Sequence, residues 1–134
     1  MRTPGKKFRQ AIADNNPLIV VGAVNAYCAK MAENVGHKAL YLSGAGVANA
    51  SFGLPDLAIT TLNDVVEDSR RITQATSLPL LIDIDTGFGG AFSISRTIKE
   101  MIAADVAAVH IEDQVTQKRC GHRPNKTLVD KIEM

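Results

Sequence analysis

Short apolar runs alternate with longer segments in which apolar residues recur at helical spacing. Four runs rich in leucine, isoleucine, valine and alanine predict buried strands, at positions 18–22, 39–42, 78–83 and 107–111. Four amphipathic segments predict helices, at positions 4–15, 26–34, 61–76 and 95–104. Near-continuous apolar strands separated by helices are typical of a parallel sheet covered by helices. The sequence therefore predicts an α/β fold made of repeated strand–loop–helix units.

Capping and turn residues mark the limits of these elements. Gly36 is placed to terminate the second helix. Thr61 is placed to cap the third, with Asp64 at the third helical position to return a hydrogen bond. Segment 127–131 predicts the opening turns of a further helix. Glycine-containing segments predict two loops, at 43–46 and 87–90.

Polar side chains collect just beyond the predicted strand ends. They are Ser43 after the second strand, Asp83 and Asp85 after the third, and Glu112 and Asp113 after the fourth. Parallel α/β sheets bind their ligands at the carboxyl ends of the strands. The clustering therefore predicts an enzyme. It leaves open whether the four units form a small doubly wound domain or the first half of a (β/α)₈ barrel.

Composition is that of an ordinary globular chain. The 134 residues are 46% hydrophobic and 22% charged, and a formal net charge of +1 gives no basis for binding nucleic acid or a membrane surface. No apolar segment follows the basic stretch 1–7 as in a secretory signal, and no apolar run is long enough to cross a bilayer. We therefore expect a cytoplasmic protein. In that reducing compartment Cys28 and Cys120 are not expected to form a disulfide.

Asp83 and Asp85 stand at alternate positions, so on an extended segment both carboxylates face the same side. Glu112 and Asp56 can converge on them. Clustered carboxylates repel one another, and a hard divalent cation such as Mg²⁺ or Mn²⁺ would neutralise them. The alternative is that these acids cap helices or pair with nearby lysines and arginines. Segment 43–46 likewise has two interpretations. Its backbone N–H groups can hold a carboxylate, or the segment can be a simple turn.

The segment Lys118-Arg119-Cys120-Gly121-His122 differs most from an ordinary surface loop. Its cationic residues favour a thiolate at Cys120 and can receive an anionic, carboxylate-bearing substrate. Gly121 permits close approach of the backbone, and His122 can orient the thiol. These features favour proton transfer by Cys120. The alternative is a solvated basic loop with an incidental cysteine.

These motifs together resemble the isocitrate lyase and phosphoenolpyruvate mutase superfamily over essentially the whole chain. The resemblance rests on six segments, at 4–6, 41–44, 53–56, 83–85, 110–114 and 118–122. Lys118–His122 is similar to a highly specific lyase signature. The continuation Arg123-Pro124-Asn125-Lys126 resembles the branch of the superfamily that cleaves 2-methylisocitrate.

The resemblance implies a (β/α)₈ TIM barrel, of which residues 1–134 cover about the first four units, as the N-terminal half of a single catalytic domain. It implies a Mg²⁺-dependent carbon–carbon lyase that cleaves the tricarboxylate 2-methylisocitrate to pyruvate and succinate, in the methylcitrate cycle of propionate catabolism. It also implies a homotetramer. The alternative is isocitrate cleavage, or a mutase or decarboxylase reaction of the same superfamily.

The resemblance also implies roles for individual residues. Asp83 and Asp85 match the Mg²⁺ positions, with Asp56 and Glu112 as partners through water. Substrate contacts are implied for Ser43, Gly44, Ala45, Cys120 and Gly121, although Ala45 stands where many members have glycine. Cys120 is the implied catalytic acid, which protonates the carbanion left on the succinate half. Supporting positions are Tyr41, Lys118, Arg119 and His122.

Length is the main departure from the superfamily. A complete barrel needs about 250 residues, whereas the chain has 134. Half a barrel lacks the later strands that supply further substrate-binding residues, and it leaves two sheet edges unpaired. We therefore expect part of a longer enzyme, a pseudogene-like fragment, or a half-barrel completed by another chain. An inactive half-barrel or assembly module is thus the alternative to an enzyme, and we expect little or no activity from the isolated chain.

Overall fold

Four parallel strands form a single sheet in the computed structural model, which describes residues 3–131 and 134. The strands are β1 (Val20–Gly22), β2 (Ala39–Leu42), β3 (Leu80–Asp83) and β4 (Ala108–His110). The helices are α1 (Pro4–Asp14), α2 (Ala26–Asn34), α3 (Gly44–Gly46), α4 (Leu62–Ala75) and α5 (Ala91–Ala103), and α3 runs into a π-helical turn at Val47–Ser51. All the strands predicted from the apolar runs are present, as are the helices predicted at 4–15, 26–34, 61–76 and 95–104.

The order of the strands decides between the two arrangements that the sequence pattern left open. The order is β1-β2-β3-β4, with Val21 beside Leu40 and Leu81 beside Ala108 in the parallel register. Each strand is therefore added on the same side of the one before it. A doubly wound sheet reverses direction at a switch point, whereas a (β/α)₈ barrel adds its strands in sequence. The topology is that of consecutive barrel units.

The hydrophobic core lies between one face of the sheet and the helices. Leu40, Leu42, Leu80 and Ile82 are fully buried, whereas Tyr41 and Leu81, which alternate with them, are only partly buried. Successive side chains of a strand point to opposite faces, so the buried set shares one face. Residues of the helices complete this core, among them Ala29, Val65, Ile72 and Met101.

Replacing Ile82 by alanine is expected to lower the free energy of unfolding by about 2–5 kcal/mol, because the change removes buried methylene groups and leaves a cavity. Leu81→Ala is the matched control, since Leu81 lies on the opposite, partly buried face of the same strand. Urea unfolding followed by circular dichroism measures both variants. Equal losses would contradict the placement of the core on the helical face.

Local hydrogen bonds explain where two of the helices begin. The Asn25 side chain accepts from the Cys28 N–H at 2.9 Å and caps α2. At the start of α4, Asp64 Oδ2 accepts from both the N–H and the hydroxyl of Thr61, each at 2.8 Å. The capping pair expected from Thr61 and Asp64 is therefore formed.

Three expectations about the elements were wrong. Segment 127–131 is not helical, because it pairs with the chain after β4: Leu128 bridges Gln114, and the Val115 N–H donates to Thr127 O at 3.0 Å. The predicted loop 43–46 becomes helical at Gly44, and α5 begins at Ala91 rather than Ser95.

Some of the expectations fall outside the described residues. Positions 1 and 2 of the basic N-terminal stretch are among these, as are positions 132 and 133, where the predicted last helix would have continued. Among the described residues, no helix has the length and apolar character needed to cross a membrane.

Candidate active site

A cavity of about 580 Å³ opens at the carboxyl ends of the strands. Its walls come from the segments after β2, β3 and β4. The lining residues are Tyr41, Ser43, Ala45, Asp56, Asp83, His110, Ile111, Glu112, Cys120, Gly121 and His122. The fold thus gathers most of the predicted site residues around one space, and Gly44, Asp85 and Lys118 contact the carboxylates beside it.

The carboxylates of Asp83 and Asp85 both face Gly44. A Cβ atom at Gly44 would lie 2.9 Å from Asp85 Oδ1 and 3.3 Å from Asp83 Oδ2. The Gly44 N–H donates to Asp83 Oδ2 at 3.4 Å, and the Asp85 N–H donates to Asp83 Oδ1 at 3.0 Å. Gly44 is therefore the residue that lets the start of α3 approach both acids.

Gly44→Ala is expected to lower kcat/KM by about 10²-fold, because a displacement of about 1 Å at the reacting groups costs that much. The added methyl group must push Asp85 or the start of α3 away. Gly22→Ala is the control, since a Cβ at Gly22 meets nothing within 4 Å. Steady-state kinetics of the cleavage that the sequence resemblance implies, in a polypeptide long enough to complete the barrel, measures both variants. Equal kcat/KM values would contradict the role of the close contact.

The contacts of the Lys118 side chain differ from those that the sequence suggested. Its side chain is fully buried and its Nζ lies 2.6 Å from Asp85 Oδ1, 3.1 Å from Asp56 Oδ1 and 3.6 Å from Glu112 Oε1. The ammonium thus faces the acidic cluster, whereas the sequence suggested that it supports Cys120. Burial alone would lower the pKa of Lys118, but the hydrogen bond and charge of Asp85, followed by Asp56, outweigh burial and raise it.

The acidic cluster formed by Asp56, Asp83, Asp85 and Glu112 carries more negative charge than Lys118 neutralises. Burial raises the pKa of the Asp85 carboxyl; Lys118 opposes this shift, and the charges of Asp83 and Asp56 add to it. Burial also raises the pKa of Tyr41 beside the cluster, with the charge of Asp83 as the next cause. Tyr41 therefore remains a neutral phenol at physiological pH. The excess negative charge favours binding of a further cation.

The basic loop places its inner and outer residues in different environments. Lys118 is buried and Cys120 is half-buried, whereas Arg119 and His122 are exposed. The sulfur of Cys120 lies 3.7 Å from His122 Nδ1, within reach of a weak hydrogen bond. The side chain of Arg119 is thus solvated, while Cys120, Gly121 and His122 line the cavity.

Comparison with known proteins identifies the family. Residues 8–134 match the family described as phosphoenolpyruvate phosphomutase. The chain belongs to the phosphoenolpyruvate phosphomutase family. It is 66% identical over 132 residues to 2-methylisocitrate lyase of Vibrio cholerae, covering 98% of this chain and 43% of that protein.

Solved structures share the fold. Oxaloacetate acetylhydrolase with the inhibitor 3,3-difluorooxalacetate superposes with a TM-score of 0.89 at 37% identity, covering 98% of this chain and 45% of that one. Phosphonopyruvate hydrolase in complex with oxalate and Mg²⁺ superposes with a TM-score of 0.78 at 30% identity, covering 98% and 44%. The chain thus spans less than half the length of these relatives. The predicted fold class, the first units of a TIM barrel of this superfamily, is confirmed.

Asp83 and Asp85 suit a hard divalent cation of the kind that the phosphoenolpyruvate phosphomutase family implies. Both are buried carboxylates that converge on Gly44. Among residues 3–131 and 134, no group of three or more His, Cys, Asp or Glu side chains is arranged to hold a metal ion directly. Mg²⁺ does not require one, since it is usually bound by one or two carboxylates and keeps several waters. The donor chemistry therefore fits Mg²⁺.

Two residues of the site were not assigned correctly from the sequence. Gln114 is 5% exposed and bonds to both Glu112 and Arg119, yet no role was predicted for it. Its alternation with Glu112 after β4 was the available signal. His110 lies in the predicted buried strand 107–111, yet it is exposed at the end of β4 and lines the cavity, with its ring 5.7 Å from that of Tyr41.

Proposed function

We propose that this chain forms the metal-binding and proton-donating part of a Mg²⁺-dependent carbon–carbon lyase that cleaves 2-methylisocitrate to pyruvate and succinate. The observation that carries the proposal is the single cavity that joins Asp83 and Glu112 to Cys120. The 66% identity to a 2-methylisocitrate lyase supports the choice of substrate. Isocitrate cleavage by a member of the same family is the nearest competing reaction.

Asp83 and Asp85 would hold the metal, with Asp56 and Glu112 acting through water. Bound Mg²⁺ would polarise a hydroxyl and a carboxylate of the substrate as a Lewis acid. The segment Ser43–Ala45 would hold the substrate, since Ser43 and Ala45 line the cavity. Tyr41 would flank the reacting centre as a neutral phenol.

Cys120 and Gly121, which also line the cavity, would contact the substrate as well. The substrate hydroxyl would lose its proton to a carboxylate of the acidic cluster, and its C–O⁻ group would become the ketone of pyruvate as the carbon–carbon bond breaks. The electron pair of that bond would stay on the succinate half, and the Cys120 thiol would give that carbon its proton. His122, 3.7 Å from the sulfur, would orient the thiol. Lys118 would neutralise Asp85 and keep the loop against the cluster, while the exposed side chain of Arg119 would meet the anionic substrate.

Pyruvate release from 2-methylisocitrate, measured in a polypeptide of the relatives' full length, tests the proposal. We expect activity that EDTA abolishes and added Mg²⁺ restores. Asp83→Asn should lose this response, whereas Asp105→Asn, an exposed site in the turn after α5, should keep it. A higher kcat/KM for isocitrate than for 2-methylisocitrate would overturn the substrate assignment, and full activity in EDTA would overturn the metal requirement.

The proposal extends to the assembly. A polypeptide of the relatives' length would complete the (β/α)₈ barrel as one catalytic domain by adding strands beside β1 and β4, the outer strands of this sheet. It would be a cytoplasmic homotetramer. Light scattering that gives four times the monomer mass is the expected result, and a monomer at working concentration would contradict the tetramer.

A further inference from the structure

The residue that follows Cys120 is fixed against the acidic cluster. Gly121 lies so close to Glu112 that a Cβ atom would be 3.0 Å from Oε1. The carbonyl of Gly121 also accepts from Lys126 Nζ at 2.5 Å, and the Arg123 N–H donates to Cys120 O at 2.9 Å. The carboxyl-terminal side of Cys120 is therefore held by the loop itself.

The residue that precedes Cys120 is held by a single side chain. Gln114 Oε1 accepts from the Arg119 N–H at 3.2 Å, and Gln114 Nε2 donates to Arg119 O at 3.0 Å. The same Nε2 donates to Glu112 Oε2 at 2.5 Å. One buried amide thus joins the backbone beside Cys120 to a carboxylate of the cluster.

This arrangement requires a side-chain amide. A carboxylate accepts but does not donate, and an ammonium or guanidinium donates but does not accept. A hydroxyl or a neutral imidazole has a single hydrogen to donate, whereas Gln114 donates two bonds and accepts one. Glutamine and asparagine meet that requirement, and asparagine is one methylene shorter. Gln114 itself is anchored, because its backbone bridges Leu128 and its side chain is 5% exposed.

We propose that Gln114 is a positioning residue that places the Cys120 thiol in the cavity by tying Arg119 to Glu112. The expected effect of Gln114 on turnover rests on the proposed lyase function. The effect of Gln114 on the loop can be measured without turnover. Residues that hold the groups of a site in place through hydrogen bonds, without touching the substrate, typically contribute about 10–100-fold to activity. Loss of Gln114 should therefore lower kcat by that factor and leave KM for 2-methylisocitrate little changed.

Gln114→Leu and Gln117→Leu are the variants that test this role. Gln117 is the same residue type in the same loop, but it is exposed and outside the cavity. Two quantities are measured in a polypeptide of the relatives' full length: kcat for pyruvate release, and the alkylation rate of Cys120 by iodoacetamide. Peptide mass spectrometry separates Cys120 from Cys28, which serves as the internal reference.

We expect Gln114→Leu to lower kcat and to speed alkylation of Cys120 several-fold relative to Cys28, with Gln117→Leu like the wild type. Equal alkylation and equal kcat in the two variants would overturn the inference, as would a lower Tm with unchanged alkylation. If the wild type releases no pyruvate, the proposed function fails and alkylation alone decides the inference. If Gln114→Leu does not fold, Gln114→Glu replaces it, since it keeps the acceptor oxygen and loses both donated hydrogen bonds.

Discussion

Replacing Cys120 by serine is expected to lower kcat for pyruvate release by about 10²–10⁴-fold, the usual contribution of a positioned acid or base. Serine keeps the size and position of the side chain, but a hydroxyl gives up its proton to carbon far less readily than a thiol. Most of the proposed substrate contacts should persist, since Ser43–Ala45, Gly121 and the proposed metal site are unchanged, so KM should change little. Steady-state kinetics with saturating Mg²⁺ measures the two constants separately.

Cys28→Ser is the matched control for this change. Cys28 lies in α2, partly buried against the core and outside the cavity. Cys28→Ser should leave kcat close to the wild-type value, because the change affects packing in α2 and not the cavity. If Cys120→Ser keeps the kcat of the Cys28→Ser variant, Cys120 takes no part in the chemistry and the basic loop needs another explanation.

The second large effect is on stability. Lys118→Met, with divalent cations removed by EDTA, is expected to lower the free energy of unfolding by about 3–5 kcal/mol, because it leaves buried carboxylates without their partner. The fully buried ammonium contacts Asp85, Asp56 and Glu112. Added Mg²⁺ should recover part of the loss, since a bound divalent cation neutralises the same carboxylates and stabilises the folded state by mass action.

Lys99→Met is the control, because Lys99 is exposed on α5 and an exposed substitution usually costs within about 0.5 kcal/mol. Urea unfolding in EDTA, with and without excess Mg²⁺, compares the two variants. Since the pKa of Lys118 is raised on folding, its contribution is fully present below the ordinary lysine value of about 10.4 and is lost as the pH rises through the higher folded value. A neutral-pH loss equal to that of Lys99→Met would contradict the buried ion-pair cluster.

The local elements could be predicted because their causes are local. The ranges of α2 and β2 are those expected from the apolar pattern and from the flanking turn residues. The Thr61–Asp64 capping pair is likewise a contact between residues three positions apart. The prediction of a helix at 127–131 was wrong because the structure of that segment depends on a tertiary contact. Its pairing with residues 113–115 is not described by helix propensity.

The acidic residues and the loop were singled out because their types and spacing are unusual, but their mutual geometry was not predictable. Lys118 is adjacent in sequence to Arg119 and Cys120, and the charge pattern alone suggested that all three act together. In the folded chain Lys118 points inward and contacts Asp56, which lies 62 positions earlier in the sequence (118 − 56). Likewise, the role of Gln114 depends on the return of the loop onto itself.

The sequence by itself determined the α/β units, the residue types of the site and the motif that contains Cys120, because each of these depends on neighbours within a few positions. The tertiary structure decided the sequential strand order, the approach of Gly44 to Asp83 and Asp85, and the partners of Lys118. These features depend on how separate strands are paired and on which carboxyl ends meet. Long-range pairing of that kind determines which charged side chains are buried next to one another. The linear pattern of residues does not contain this information.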